Sequence, residues 1–69
     1  MNATEVELLV RGVITHLGLP FTLTSVSAAP DGWSIVVRGE TGNVVRFTLM
    51  AGRPISMRAA IQERLEEAL

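Results

Sequence analysis

Ala29-Pro30-Asp31-Gly32-Trp33 reads as the tight corner of a β-hairpin. Proline presets the backbone for the first corner of a type I turn, aspartate bonds to its own backbone, and glycine takes the left-handed bulge position. A three-residue loop there pairs Ala29 with Trp33. That parity puts Phe21 and Leu23 on the same sheet face as Trp33, Ile35 and Val37. Gly39-Glu40-Thr41-Gly42-Asn43 repeats the device, with Gly42 at the bulge. It sets Val37 opposite Val45 and Ile35 opposite Phe47, with Leu49 beside Trp33. The two turns, read separately, gather the large apolar side chains on one face, and this agreement decides the fold.

Three strands follow from those turns, at about 21–29, 33–39 and 43–50. Upstream, residues 4–17 read as an amphipathic helix. Val6, Leu9, Val10, Val13 and Leu17 recur at three- and four-residue spacing. Thr4 and Glu7 have the spacing of a capping box, and Gly18 followed by Pro20 ends the helix. Downstream, residues 54–69 form a second helix, opened by Pro54 and striped by Met57, Ile61, Leu65 and Ala68. Glu63, Glu66 and Glu67 lie on its opposite, solvated side. The fold class is therefore α+β: α-β-β-β-α, a three-stranded antiparallel meander with two helices packed on one face.

Sixty-nine residues allow a single domain, 1–69, and a chain this short buries only about 60% of its unfolded surface. With 48% hydrophobic and 19% charged residues and a net charge of −1, the chain is too apolar for a disordered tail. No apolar run reaches the roughly 18 to 20 residues that span a bilayer, so no membrane is expected. The mean hydropathy of +0.37 then belongs to a core or to a surface that a partner covers. There is no cysteine, which removes disulfides and thiolate metal sites. The N-terminus lacks the basic-then-apolar pattern of a secretory signal, so a cytoplasmic location is expected. All six basic residues are arginine, which GC-rich codon usage explains as well as guanidinium chemistry does.

The helices leave one sheet face bare. By the register above it carries Thr22, Thr24, Val26 and Ala28, then Ser34, Val36 and Arg38, then Val44, Arg46, Thr48 and Met50. Val26, Val36 and Arg46 form one row, and Thr24, Arg38 and Val44 the next. A solvated face accounts for this surface, since antiparallel sheets often wet one side and β-branched residues sit there for propensity. Aliphatic groups with interspersed arginine also match interface composition. Val26, Val36, Arg38, Val44 and Arg46 are accordingly the candidate interaction face. Both edge strands lack lysine and internal proline, the usual devices that blunt an edge.

Chemistry has little to work with. His16 is the only histidine and sits near the end of the first helix, a position that suits an imidazole without any catalytic role. Neither a second histidine nor a cysteine exists to share a metal. Glu5 and Glu7 suit a helix N-terminus. Ser25 and Ser27 point inward with no base near them in sequence, and their small size lets a helix pack closely. No catalytic, cofactor or metal residue emerges, and no enzyme is expected. The turns at 39–42 and 51–54 lack the glycine-lysine-serine/threonine run of a nucleotide cradle. The second does lead into a helix N-terminus flanked by Arg53 and Arg58, the candidate phosphate contacts.

The order of helix, three antiparallel strands and helix resembles the double-stranded-RNA-binding domain, over nearly the whole chain and in topology. That resemblance implies minor-groove contacts from the loop between the first two strands, where Pro30, Asp31 and Gly32 stand. It also implies phosphate contacts where the second helix opens, at Arg53, Ser56 and Arg58. The family's basic signature is absent. Six arginines scattered among seven acids give no cluster for counterion release, which disfavours nucleic acid. The expected function is a small non-catalytic protein-interaction or self-assembly module, partnered by another protein or by a second copy. The alternative is a weak duplex-RNA binder acting through the second helix.

Overall fold

Asn2 opens the first helix. Its side chain accepts from the Glu5 amide at 2.9 Å, and Glu5 accepts from the Asn2 amide at 3.1 Å, which completes a capping box. The expected box at Thr4 and Glu7 gives way to this one because asparagine caps at least as well as threonine and adds a turn's start. Glu7 is thereby free to pair with Arg11 one turn on, at 3.0 Å. Helix α1 runs Ala3–Leu17 and ends at Gly18, whose φ of 61° is the left-handed cap. The Gly18 and Leu19 amides return to carbonyls of the last turn, with Leu19 reaching Ile14 at 3.0 Å.

The computed structural model describes residues 1–69. After α1 come β1 (Phe21–Ala29), β2 (Gly32–Gly39), β3 (Val44–Met50) and α2 (Pro54–Glu67). The sheet is antiparallel in the order β1-β2-β3. This is the α-β-β-β-α meander that the turns predict, with each strand boundary within one residue of the expected one.

The second hairpin closes as expected. Gly42 has φ 85°, the Gly39 amide donates to the Asn43 carbonyl at 2.8 Å, and Val37 lies opposite Val45, Ile35 opposite Phe47, Trp33 opposite Leu49. The first hairpin differs. Its loop is the two residues Pro30 and Asp31, so Ala29 pairs with Gly32 and not with Trp33. Gly32 is therefore a strand residue, and it is needed for a different reason than a bulge. A Cβ there would run into the Leu49 carbonyl oxygen and sit 2.8 Å from the Ala51 nitrogen.

Closing the loop one residue shorter would turn Phe21 and Leu23 away from the helices. A β-bulge at Thr24 prevents this: Leu23 pairs with Val37, but Ser25 pairs with Val36. The extra residue restores the parity needed to bury Phe21. Between the bulge and the turn, every side chain of β1 changes face relative to expectation. Val26 lies opposite Ile35 and packs against the core, and Ser25 and Ser27 are exposed on the other face.

One core joins the helices to the sheet. Val6, Val10 and Val13 come from α1, Met57, Ile61 and Leu65 from α2, and Phe21, Ile35, Val37, Phe47 and Leu49 from the sheet. Trp33 and Val45 are half-buried against it. Helix α1 lies over β1 and α2 over β3. No polar or charged side chain is buried, so hydrophobic burial is the main force holding helices to sheet.

Candidate functional site

Cross-strand pairing builds the uncovered face in four rows. They are Thr22–Arg38–Val44, Ser25–Val36–Arg46, Ser27–Ser34–Thr48 and Ala29–Gly32–Met50. Of the five candidate face residues, Val36, Arg38, Val44 and Arg46 are brought together here. Val26 is not, because the short loop and the Thr24 bulge turn it to the helices. The expected Val26–Val36–Arg46 row has Ser25 in place of Val26, and Thr22 takes the place of Thr24 beside Arg38. The centre of the face is consequently a hydroxyl-rich surface. Apart from the half-buried Val36, its large apolar groups stand at the two ends of β3, where Val44 is 54% and Met50 71% exposed.

The two sheet edges differ. The β1 edge is broken by the bulge at Thr24, a feature that interrupts the row of free backbone groups. The β3 edge is regular over seven residues, and it has no proline, no lysine and no bulge. Its hydrogen-bond phase follows from two flanking bonds, Gly39 to the Asn43 carbonyl at 2.8 Å and Ala51 to the Asp31 carbonyl at 3.2 Å. In an antiparallel ladder these bonded pairs recur at every second residue. Val45, Phe47 and Leu49 therefore turn their N–H and C=O groups to β2. Val44, Arg46, Thr48 and Met50 turn theirs outward, to an edge that no element covers.

Helix α2 flanks that edge. The Arg64 guanidinium lies 5.7 Å from the centre of the Phe47 ring. A groove of about 390 Å³ opens between β3 and α2, with Met50, Ala60, Glu63, Arg64 and Glu67 along it. Arg64 has no distinguishing mark in the sequence beyond falling one position before Leu65 in the apolar stripe.

Arg53 and Arg58, the candidate phosphate contacts, are both exposed at the opening of α2. Arg53 occupies the cap position, and no side chain caps the amides there, in contrast to α1. Ile55 between them is 77% exposed. His16 is exposed in the last turn of α1. Nowhere do three or more histidine, cysteine, aspartate or glutamate side chains converge as a metal would require. No helix is long and apolar enough to cross a membrane. Compared with protein-family models, with curated proteins and with solved structures, the chain finds no match in any of the three.

Proposed function

We propose that this chain is a small non-catalytic interaction module that accepts an extended strand of another polypeptide along β3. The observation that carries this reading is the edge itself: seven regular residues, with the backbone groups of Val44, Arg46, Thr48 and Met50 turned outward and exposed apolar side chains at both ends. Strand addition draws affinity from main-chain hydrogen bonds and selectivity from alternate side chains. Both elements are present on β3, and the bulge of β1 disfavours the other edge. The hydroxyl-rich centre of the open face argues against that face as the principal contact, since interface cores are enriched in aromatic residues and methionine.

The test is an NMR titration of the protein with extended heptapeptides, including one with the sequence of residues 44–50. The expected result is a selective shift of the Val44, Arg46, Thr48 and Met50 amides, with the β1 amides unmoved. If no peptide perturbs those four amides, the edge is not a docking site.

A second reading rests on the α-β-β-β-α topology and on the uncapped opening of α2 with its two exposed arginines. In that reading the domain is related to the double-stranded-RNA-binding fold, and Arg53 and Arg58 hold duplex phosphates beside the helix amides. A net charge of −1 weighs against it.

A further inference from the structure

We infer that the strand received by β3 is charged oppositely on its two faces, with lysine or arginine toward α2 and aspartate or glutamate toward the open face. The inference rests on the strand-addition reading above and specifies the chemistry of the partner. It comes from the charges on either side of the β3 edge, which differ in sign.

On the open side every charge is positive. The four cross-strand rows of that face hold Arg38 and Arg46, both exposed, and no carboxylate. Arg46 belongs to β3 itself, so a residue paired with it lies directly opposite, and Arg38 stands diagonally behind it on β2. On the other side the balance is negative. Glu63 and Glu67 line the groove between β3 and α2, and Glu66 lies beside them on the helix. One cation, Arg64, stands among these three carboxylates, and its guanidinium is placed over the Phe47 ring. The one ion pair of the chain joins Arg11 to Glu7 on α1, so none of the charges flanking β3 is paired within the protein.

Successive side chains of a strand point to opposite faces. A strand added to β3 therefore sends the residues opposite Val44, Arg46, Thr48 and Met50 to the arginine side. Those opposite Val45, Phe47 and Leu49 turn to the side where Glu63 and Glu67 stand. A uniformly basic strand meets repulsion at Arg46, and a uniformly acidic one meets it along α2. Only a strand sorted by face is attracted on both sides, and complementary charge of this kind selects partners and fixes register. Val44 and Met50, exposed at the two ends, call for aliphatic residues opposite them. A single extended strand also brings no helix of its own against α2.

Two heptapeptides of identical composition test the sorting. In antiparallel pairing, Val-Lys-Thr-Val-Glu-Lys-Val sets its glutamate opposite Arg46 and both lysines toward α2. Val-Glu-Thr-Val-Lys-Lys-Val puts a lysine opposite Arg46 and the glutamate toward α2. Each is titrated into the unmodified chain, into Arg46→Gln and into Glu63→Gln combined with Glu67→Gln, with the Val44, Arg46, Thr48 and Met50 amide shifts as the readout. All the substituted residues are exposed, and thermal unfolding of each variant shows that it folds. The first peptide is expected to bind the unmodified chain roughly two- to thirty-fold tighter at low salt. That advantage should shrink in both variants, and in about 1 M salt, where charges are screened beyond ~3 Å. Equal affinities, tighter binding of the second peptide, or a preference undiminished in either variant overturns the sorting and leaves strand addition standing. So would shifts produced by the 44–50 peptide and by neither of these two. An absence of shifts with all three ends strand addition itself.

Discussion

Arg64 lies over the aromatic ring of Phe47, its guanidinium carbon 5.7 Å from the ring centre, and so caps the one large aromatic side chain of β3 from the helix above. Phe47 is 5% exposed and joins the sheet to α2. Phe47→Ala is expected to cost about 3 to 5 kcal/mol, a large fraction of the ~5 to 15 kcal/mol typical of a folded domain. Arg64→Ala should cost far less, about 0.5 to 1 kcal/mol, because the cation is solvent-accessible. Urea unfolding of the two variants measures both. A Phe47→Ala protein with an unchanged midpoint would remove that residue from the core.

The glycines of the β2–β3 neighbourhood separate two causes. At Gly32 an added methyl collides with backbone atoms of Leu49 and Ala51, and backbone cannot swing aside as a side chain can. Gly32→Ala is therefore expected to destabilise the domain by about 1 to 3 kcal/mol, as overpacking does. At Gly52 the same methyl meets nothing within 4 Å. Gly52→Ala should be neutral or stabilising by up to about 1 kcal/mol, through the unfolded chain. Thermal melts that ranked the two substitutions in the opposite order would contradict this account.

Most of the fold was legible because each strong signal is local. Gly42 and Asn43 fix the second turn within a few residues, and the resulting partners of Val37, Ile35 and Trp33 are the ones observed. Gly18, Pro54 and the Met57–Ile61–Leu65 stripe mark the helices just as directly. The first hairpin was not legible in the same way. Pro30-Asp31-Gly32 is compatible with both a two- and a three-residue loop, and the shorter one keeps Phe21 and Leu23 on the core face only because the register shifts between Leu23 and Ser25. That shift is remote from the turn in sequence. The bulge at Thr24 has no glycine to announce it, so the turn spacing alone puts Val26, Ser25 and Ser27 on the faces opposite to those observed. The candidate site inherited the error, and the β3 edge stands out only once the bulge of β1 is known.

The corrected faces make a direct prediction. Val26→Asp places a carboxylate opposite Ile35 against the core, where an unpaired charge is costly. It should lower the melting temperature by much more than Ser25→Asp, which sits on the exposed face one residue away. Equal effects would return Val26 to the open face.

Duplex RNA offers a test of the second reading. Binding through Arg53 and Arg58 would weaken steeply with salt and be lost in the double variant Arg53→Glu, Arg58→Glu. The expected outcome is no saturable binding at low salt, because seven acids oppose six arginines and only two of the latter open α2. A saturable, salt-sensitive isotherm abolished by the double variant would instead establish the RNA reading.

Edge pairing and face docking are separated by two substitutions that leave the core untouched. Thr48 turns its N–H away from β2, so Thr48→Pro removes an outward donor without breaking a β2–β3 bond. Proline is tolerated on an edge strand where the N–H faces solvent, and the preceding residue is already extended, as proline requires. The variant should fold with little loss of stability yet lose strand addition, through both the missing donor and the bulk of the ring. Val36→Glu does the reverse. It puts a charge in the middle of the open face, between Ser25 and Arg46, and leaves every outward backbone group of β3 in place. Peptide titration is expected to show association abolished by Thr48→Pro and retained by Val36→Glu. The opposite pattern, loss with Val36→Glu and retention with Thr48→Pro, would move the contact from the edge to the face, because a docked face is disrupted by a charge at its centre and has no use for the Thr48 amide.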